Sequence, residues 1–217
     1  MNLQKYKQIF GEFANDAEFM YENIKKLHLN LDSKILDIGT GIGAMSCLLA
    51  LNGFNVLTGE PEVNPEQNNQ THKHQHHHDE SHKHHHENHD FSVWGNWKES
   101  AKSLGVLDKI HFQYFDAQDL PFDDESFEGI FLYDSLQHIQ DRKLVLNECI
   151  RVLKPRGIII IIEWTKKQIE EDYKKYGYEI DFINPEDYLK QNNIEVKLVS
   201  GNYVNVYLLQ QNLSETI

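Results

Sequence analysis

Cysteine is scarce in this chain, with two residues in 217. Cys47 and Cys149 both fall in apolar helical patterns and form no pair at metal-ligand spacing, which argues for buried, reduced thiols rather than a disulfide scaffold or a thiolate metal centre. Long hydrophobic runs are missing too. The longest aliphatic stretch, Ile158 to Ile162, falls far short of the ~20 residues a membrane helix needs, and Met1 to Phe10 has no apolar signal core. The expectation is a soluble, cytoplasmic protein with no membrane partner. Basic residues are outnumbered, 21 against 34 acidic ones, for a formal charge of −13 and a pI near 5.4. Nucleic-acid binding draws on Lys and Arg that displace counterions, and no basic patch stands out, so DNA and RNA are not expected partners. Hydrophobic residues make up 40% of the chain, under the roughly 45–50% of globular domains. The deficit gathers in one polar stretch at about residues 61–90, which leaves the remainder a normal core. At about 150 residues per domain, the length fits one domain carrying an insertion.

From Leu3 the apolar residues recur as Leu3, Tyr6, Phe10, Phe13, Ala17, Met20, Ile24 and Leu27, in alternating steps of three and four. This is an amphipathic helical stripe, which Gly11 and the Asn15-Asp16 pair can split in two. Residues 1–30 are read as a helical lid packed over its own domain, with a dimer seam as the other use of such a stripe. Residues 31–217 then alternate strands and helices. Strands are expected at 34–38, 55–59, 109–115, 129–133 and 158–162, and helices at 44–51, 91–104, 141–153 and 185–191. A hairpin over 194–209 closes the chain around Ser200-Gly201-Asn202. The pattern predicts an α/β fold with a Rossmann-like, doubly wound, mostly parallel sheet and one antiparallel edge strand. Ligands in such sheets sit at the carboxyl ends of the strands.

The first of those ends carries Asp37-Ile-Gly39-Thr40-Gly41-Ile-Gly43. Glycines there let the backbone approach a ligand at a helix N-terminus. The spacing loosely satisfies a dinucleotide fingerprint, but Asp37 would repel a pyrophosphate and suits a cationic ligand instead. The second strand end carries Glu60, whose two oxygens fit a diol. With these features, with Phe115 to Phe122 around Asp116 and Ala117, and with the run from Leu146 to Gly157, the sequence resembles the class I S-adenosylmethionine-dependent methyltransferases. The likeness runs from about Leu31 to Leu209, apart from the polar insertion. It implies S-adenosylmethionine as cofactor, held by Asp37, Gly39, Thr40, Gly41, Gly43, Glu60, Asp116, Ala117 and Asp134. By that resemblance Glu60 takes the ribose hydroxyls, Asp116 the exocyclic amine of adenine, and the Ala117 N–H the ring.

The fourth strand end, Asp134-Ser-Leu-Gln-His138-Ile, lacks the signature of enzymes that methylate base amines. It is similar to the quinone-biosynthesis type, which implies a small-molecule acceptor. Asp134 and His138 are the expected catalytic residues, with neutral imidazole as general base. Asp134 and Glu163 could instead chelate a divalent ion, as acids do in catechol-type relatives, although Trp164 replaces the usual third oxygen ligand. Ten of the thirteen histidines lie between positions 72 and 89: His72, His74, His76, His77, His78, His82, His84, His85, His86 and His89. Imidazole without thiol suits Ni²⁺, Co²⁺, Cu²⁺ or Zn²⁺. The expected function is methyl transfer to a small molecule, open to modulation by metal at this loop. A metal-binding or metal-sensing protein on a non-catalytic methyltransferase scaffold is the alternative.

Overall fold

The structure is a computed structural model describing residues 3–62, 96–177, 179–189 and 193–212. The ten histidines at positions 72 to 89 lie outside the described residues.

The longest strand is β5 (Leu153–Trp164), of twelve residues, in the interior of the sheet. Its isoleucines alternate between two cores: Ile158, Ile160 and Ile162 join one cluster, Ile159 and Ile161 the other. A strand covered on both faces has no polar side, which is why this segment reads as an unbroken β-branched run. The other strands are β1 (Ile35–Ile38), β2 (Val56–Glu60), β3 (Ile110–Tyr114), β4 (Phe127–Tyr133), β6 (Ile194–Ser200) and β7 (Val204–Gln211). They form one seven-stranded sheet in the order β3-β2-β1-β4-β5-β7-β6. Pairing is parallel from β3 through β5, and β7 runs antiparallel to both β5 and β6. This is the doubly wound sheet that the βα alternation predicts, with the terminal hairpin at one edge, where β7 runs antiparallel between β5 and the edge strand β6.

The N-terminal stripe forms α1 (Leu3–Phe10), a 3-10 turn at Gly11–Ala14 and α2 (Ala17–Lys25), broken at Gly11, whose φ is +54°. Tyr6, Phe10, Ala14, Ala17, Met20 and Ile24 are buried in the cluster that also holds α3 (Ala44–Leu51) and α4 (Trp97–Leu104). The stripe thus packs on its own sheet. On the opposite face α5 (Arg142–Val152) buries Val145, Leu146, Cys149 and Val152. Both cysteines are free and buried, as expected. Among the described residues no helix is long and apolar enough to cross a membrane.

Three elements differ from the sequence reading. Within the expected 91–104 helix, α4 starts at Trp97, and residues 91–95 lie outside the described residues. Where a short helix was expected from Pro185, the described residues show a 3-10 turn, Pro185–Tyr188, with Asn184 as its cap. An unexpected helix, α6 (Lys166–Tyr176), buries none of its residues and so left no apolar period to read. Its signal is Thr165, whose hydroxyl caps the Gln168 N–H at 3.2 Å.

Two polar ties seat the N-terminal segment. The Tyr6 hydroxyl donates to the Ala44 carbonyl at 2.9 Å. Asp16, 5% exposed, accepts the backbone N–H groups of Tyr203 and Val204 at 2.7 and 3.0 Å. Removing that carboxylate strands two amides beside β7. We predict that Asp16→Ala lowers the unfolding free energy by about 2–4 kcal/mol, read as a lower urea midpoint at unchanged m value.

Candidate active site

The parallel register sets Asp37 beside Thr58 on β2 and beside Phe131 on β4. Asp37 is fully buried. Its Oδ2 accepts the Ser46 hydroxyl from the first turn of α3 and the Thr58 hydroxyl, the latter at 3.1 Å. Its Oδ1 is buried without a hydrogen-bond partner among the described residues. Burial pushes the Asp37 carboxyl up to about 7, against the pull of the Ser46 and Thr58 hydroxyls.

Above it, Gly39 and Gly43 turn at φ of +91° and +84°. A Cβ at Gly39 would lie 2.5 Å from the Ser135 Oγ, and one at Gly43 would lie 2.7 Å from the Trp97 Cβ. Only glycine satisfies both the backbone and the space. The loop is sewn to β2: the Gly39 and Thr40 N–H groups donate to the Gly59 carbonyl at 3.1 and 3.3 Å, and the Thr40 and Thr58 hydroxyls meet at 2.9 Å. Glu60, half-buried, reaches back to accept the Gly41 N–H at 2.6 Å through Oε1. Its carboxyl is raised by burial and lowered by that amide.

Asp116 and Ala117, the residues expected to meet adenine, follow β3, one strand over from β2. The Phe115 N–H donates to the Glu60 carbonyl at 3.0 Å, which carries Asp116 to the mouth beside Glu60. Asp116 is exposed, and its Oδ1 accepts the Gln118 N–H at 2.8 Å. Ala117 is half-buried next to it.

At the end of β4, Asp134 adopts a left-handed φ of +52°, uncommon outside glycine. Its Oδ1 accepts the Trp164 indole N–H at 2.7 Å and the Gln137 amide. Burial pushes its carboxyl up to about 7, opposed by those two donors. Glu163, 2% exposed, accepts the Leu136 N–H at 3.0 Å. Burial first, then the charge of Asp134, pushes it up to about 8. His138 is exposed at the rim, and partial desolvation lowers its imidazole pKa. Rings close the side toward the N-terminal segment. Phe13 meets Tyr133 and Trp164 at 6.4 and 6.0 Å between centroids, and the Tyr133 hydroxyl donates to the Phe13 carbonyl at 2.9 Å.

Of the Asp134 and Glu163 pair expected as possible chelators, Trp164 occupies one oxygen of the first and the Leu136 amide one oxygen of the second. Among the described residues, no group of three or more His, Cys, Asp or Glu side chains is placed to hold a metal ion. Sequence reasoning missed the contacts of Ser46, Thr58, Ser135 and Trp164 with the site, which join residues apart in the chain and arise only once the strands and the helix and loop that follow them are assembled.

These raised acids set a pH dependence for the ligand-free protein. Asp37, Asp134 and Glu163 hold protons in the folded state that the unfolded chain has released, so their stabilising contribution is full below about pH 4 and lost as pH rises through 7 to 8. We predict a stability that falls between pH 5 and 8, at up to about 1.4 kcal/mol per pH unit for each group. Asp37→Asn should flatten the slope, measured by urea unfolding across that range.

Similarity to known proteins agrees with this geometry. A family profile described as a methyltransferase domain matches residues 91–161. The chain is 28% identical over 169 residues to a demethylmenaquinone methyltransferase of Clavibacter sepedonicus, covering 78% of this chain and 53% of that protein. The chain spans about half the length of the curated relatives it matches. Among solved structures, a SAM-dependent methyltransferase from Aquifex aeolicus shares the fold with a TM-score of 0.55 at 18% identity, covering 96% of this chain and 98% of that one. The cyclase SpnF shares it with a TM-score of 0.59 at 14% identity, covering 90% and 81%. The glycine loop over a buried acid, the sheet order and the matched profile together make this chain similar to the class I S-adenosylmethionine-dependent methyltransferases.

Proposed function

We propose that the protein transfers a methyl group from S-adenosylmethionine to a small-molecule acceptor. The observation that carries this reading is the glycine cradle, with an unpartnered carboxylate oxygen of Asp37 beneath it and Glu60 at its rim. The residues fit the cofactor chemically: the cradle admits backbone contact, Glu60 suits a ribose diol, Asp116 suits the adenine amine, and the negative charge of Asp37 and Asp134 suits a sulfonium bearing an ammonium group. When bound, S-adenosylmethionine supplies an electrophilic methyl on a good leaving group.

The protein's own part is positioning and proton handling. Gly39 to Gly43 hold the donor in place, and the rings of Phe13, Tyr133 and Trp164 wall the acceptor side and exclude water. With the donor bound, the acceptor's electron pair would form the bond to the methyl carbon while the carbon–sulfur pair would stay on sulfur, and the site's part would be to hold the two in line. The acceptor's proton passes to Asp134 or to His138, which desolvation keeps neutral near pH 7. Phe13 brings the N-terminal segment over this side as its lid. The name of the Clavibacter relative points to a planar quinol as one acceptor class.

Calorimetry with S-adenosylmethionine and S-adenosylhomocysteine should show binding of both, and no heat with either would sink the proposal. Once an acceptor is in hand, His138→Ala should lower turnover by about 10²–10⁴-fold while leaving cofactor affinity near its original value. Unchanged turnover would remove His138 from the reaction. SpnF, named a cyclase on the same fold, makes the turnover assay the deciding one between an enzyme of this type and a non-catalytic scaffold.

A second reading concerns residues 72–89 and rests on their histidine density. We infer that this segment binds Ni²⁺, Co²⁺, Cu²⁺ or Zn²⁺ and modulates the site, since it follows Glu60 in the chain. Metal affinity should fade below about pH 6, where imidazole protonates. Cofactor affinity that is the same with and without metal, in the intact protein and in a variant lacking residues 71–89, would exclude the modulation.

A further inference from the structure

Resting on the proposed methyl transfer, we propose that Trp164 and Glu163, consecutive at the end of β5, are positioning residues that hold the β4–α5 loop so that Asp134 faces the acceptor as its proton-accepting group. Their two side chains act on the loop at different points. The Trp164 indole N–H takes the Asp134 Oδ1 at 2.7 Å, and Glu163 takes the Leu136 N–H at 3.0 Å. Arg142 completes the hold from α5, donating from Nε to the Leu136 carbonyl at 2.9 Å and from Nη2 to the Gln137 carbonyl at 3.4 Å. Leu136 is thus gripped at both its amide and its carbonyl.

The hold has something to hold. Asp134 sits at a φ of +52°, a conformation that persists in a non-glycine residue where its surroundings over-determine it. With Oδ1 committed to Trp164 and Gln137, Oδ2 has no hydrogen bond among the described residues and is not among their buried unpartnered atoms. That oxygen is open to the site. In the transfer step it accepts the acceptor's proton while the new bond to the methyl carbon forms and the carbon–sulfur pair returns to sulfur, which converts the carboxylate to the acid and balances the charge.

The electrostatic surroundings agree. Asp134 is faced by Gln137, by Trp164 and by the Tyr133 ring, which is itself under the influence of Asp16 and Glu163. Glu163 is faced by the Leu136 and Ser135 amides, by Asp134 and by Arg142, with Tyr207 on β7 within its field. His138 shares the loop. Burial raises both acids, and the Trp164 donor is the largest influence keeping the Asp134 carboxylate from rising further.

Trp164→Phe is the deciding variant, because it keeps an aromatic ring facing Phe13 and Tyr133 while removing the N–H. Two readouts separate positioning from packing. The first needs neither cofactor nor acceptor: a carbon-detected titration of side-chain carboxyls in the intact protein, with Asp134→Asn to assign the signal. Asparagine tolerates the same backbone conformation. The wild-type Asp134 signal should titrate far above the ordinary range near 4 and move higher still in Trp164→Phe. The second is the pH profile of turnover. Trp164→Phe should lower kcat about ten- to a hundredfold at pH 7 and shift the acidic limb to higher pH, with cofactor affinity by calorimetry little changed. Glu163→Gln, which keeps an acceptor for the Leu136 N–H, should retain most of the turnover.

An Asp134 that titrates near 4, or one that Trp164→Phe leaves unmoved, overturns the clamp whatever the enzyme does. A wild-type protein that binds no S-adenosylmethionine overturns the proposed function instead, while the titration still reports on the clamp.

Discussion

Everything at the ligand-facing end of this molecule depends on β1 lying between β2 and β4 in parallel register. That pairing sets Asp37 against Thr58 on one side and Phe131 on the other, and it brings the loops after three strands to one rim. A carboxylate at that position is costly to bury, and the sheet offsets the cost with two hydroxyls and a raised pKa rather than with a cation. The glycine loop then has to turn tightly above it, because Ser135 on one side and Trp97 on the other leave no room for a Cβ. Removing the register would scatter the glycine loop, Glu60 and the β4 loop together.

The sheet was readable in the sequence because its signals are local. Ile158 to Ile162 is a β-branched run of strand length, Gly43 and Gly53 bracket a helix of uniform apolarity, and the hairpin announces itself at Ser200-Gly201-Asn202. Helix α6 was not readable by the same means. It is held by a threonine cap and by surface contacts such as Lys175 to Glu12 at 3.0 Å, and an apolar period cannot report a helix that buries nothing. The turn at Pro185 shows the opposite failure, since a proline start and an apolar Leu189 are shared by a short helix and a 3-10 turn.

The site divides along the same line. Glu60, the glycines and Asp116 are legible because each motif is contiguous and its chemistry is written in residue type. Thr58 and Ser46 look like ordinary strand and helix residues until the β1–β2 register and the start of α3 place both hydroxyls on one carboxylate oxygen. Trp164 was read only as a missing ligand. Its function as a donor to Asp134 joins residues thirty positions apart on neighbouring strands, and no local pattern encodes that distance.

Charge connects the site to the composition. The chain carries a formal charge of −13, and three of its acids are buried around the rim with their pKa values pushed toward neutrality. Such groups respond to a cation by ionising, so a positively charged donor is met by a field that strengthens as it arrives. On the proposed reaction the sulfonium loses its charge when the methyl leaves, and Asp134 or His138 gains a proton in the same step. Both changes weaken the attraction between the spent donor and the rim. On that proposed reaction, the raised pKa values that destabilise the empty fold toward alkaline pH also weaken the hold on the demethylated product.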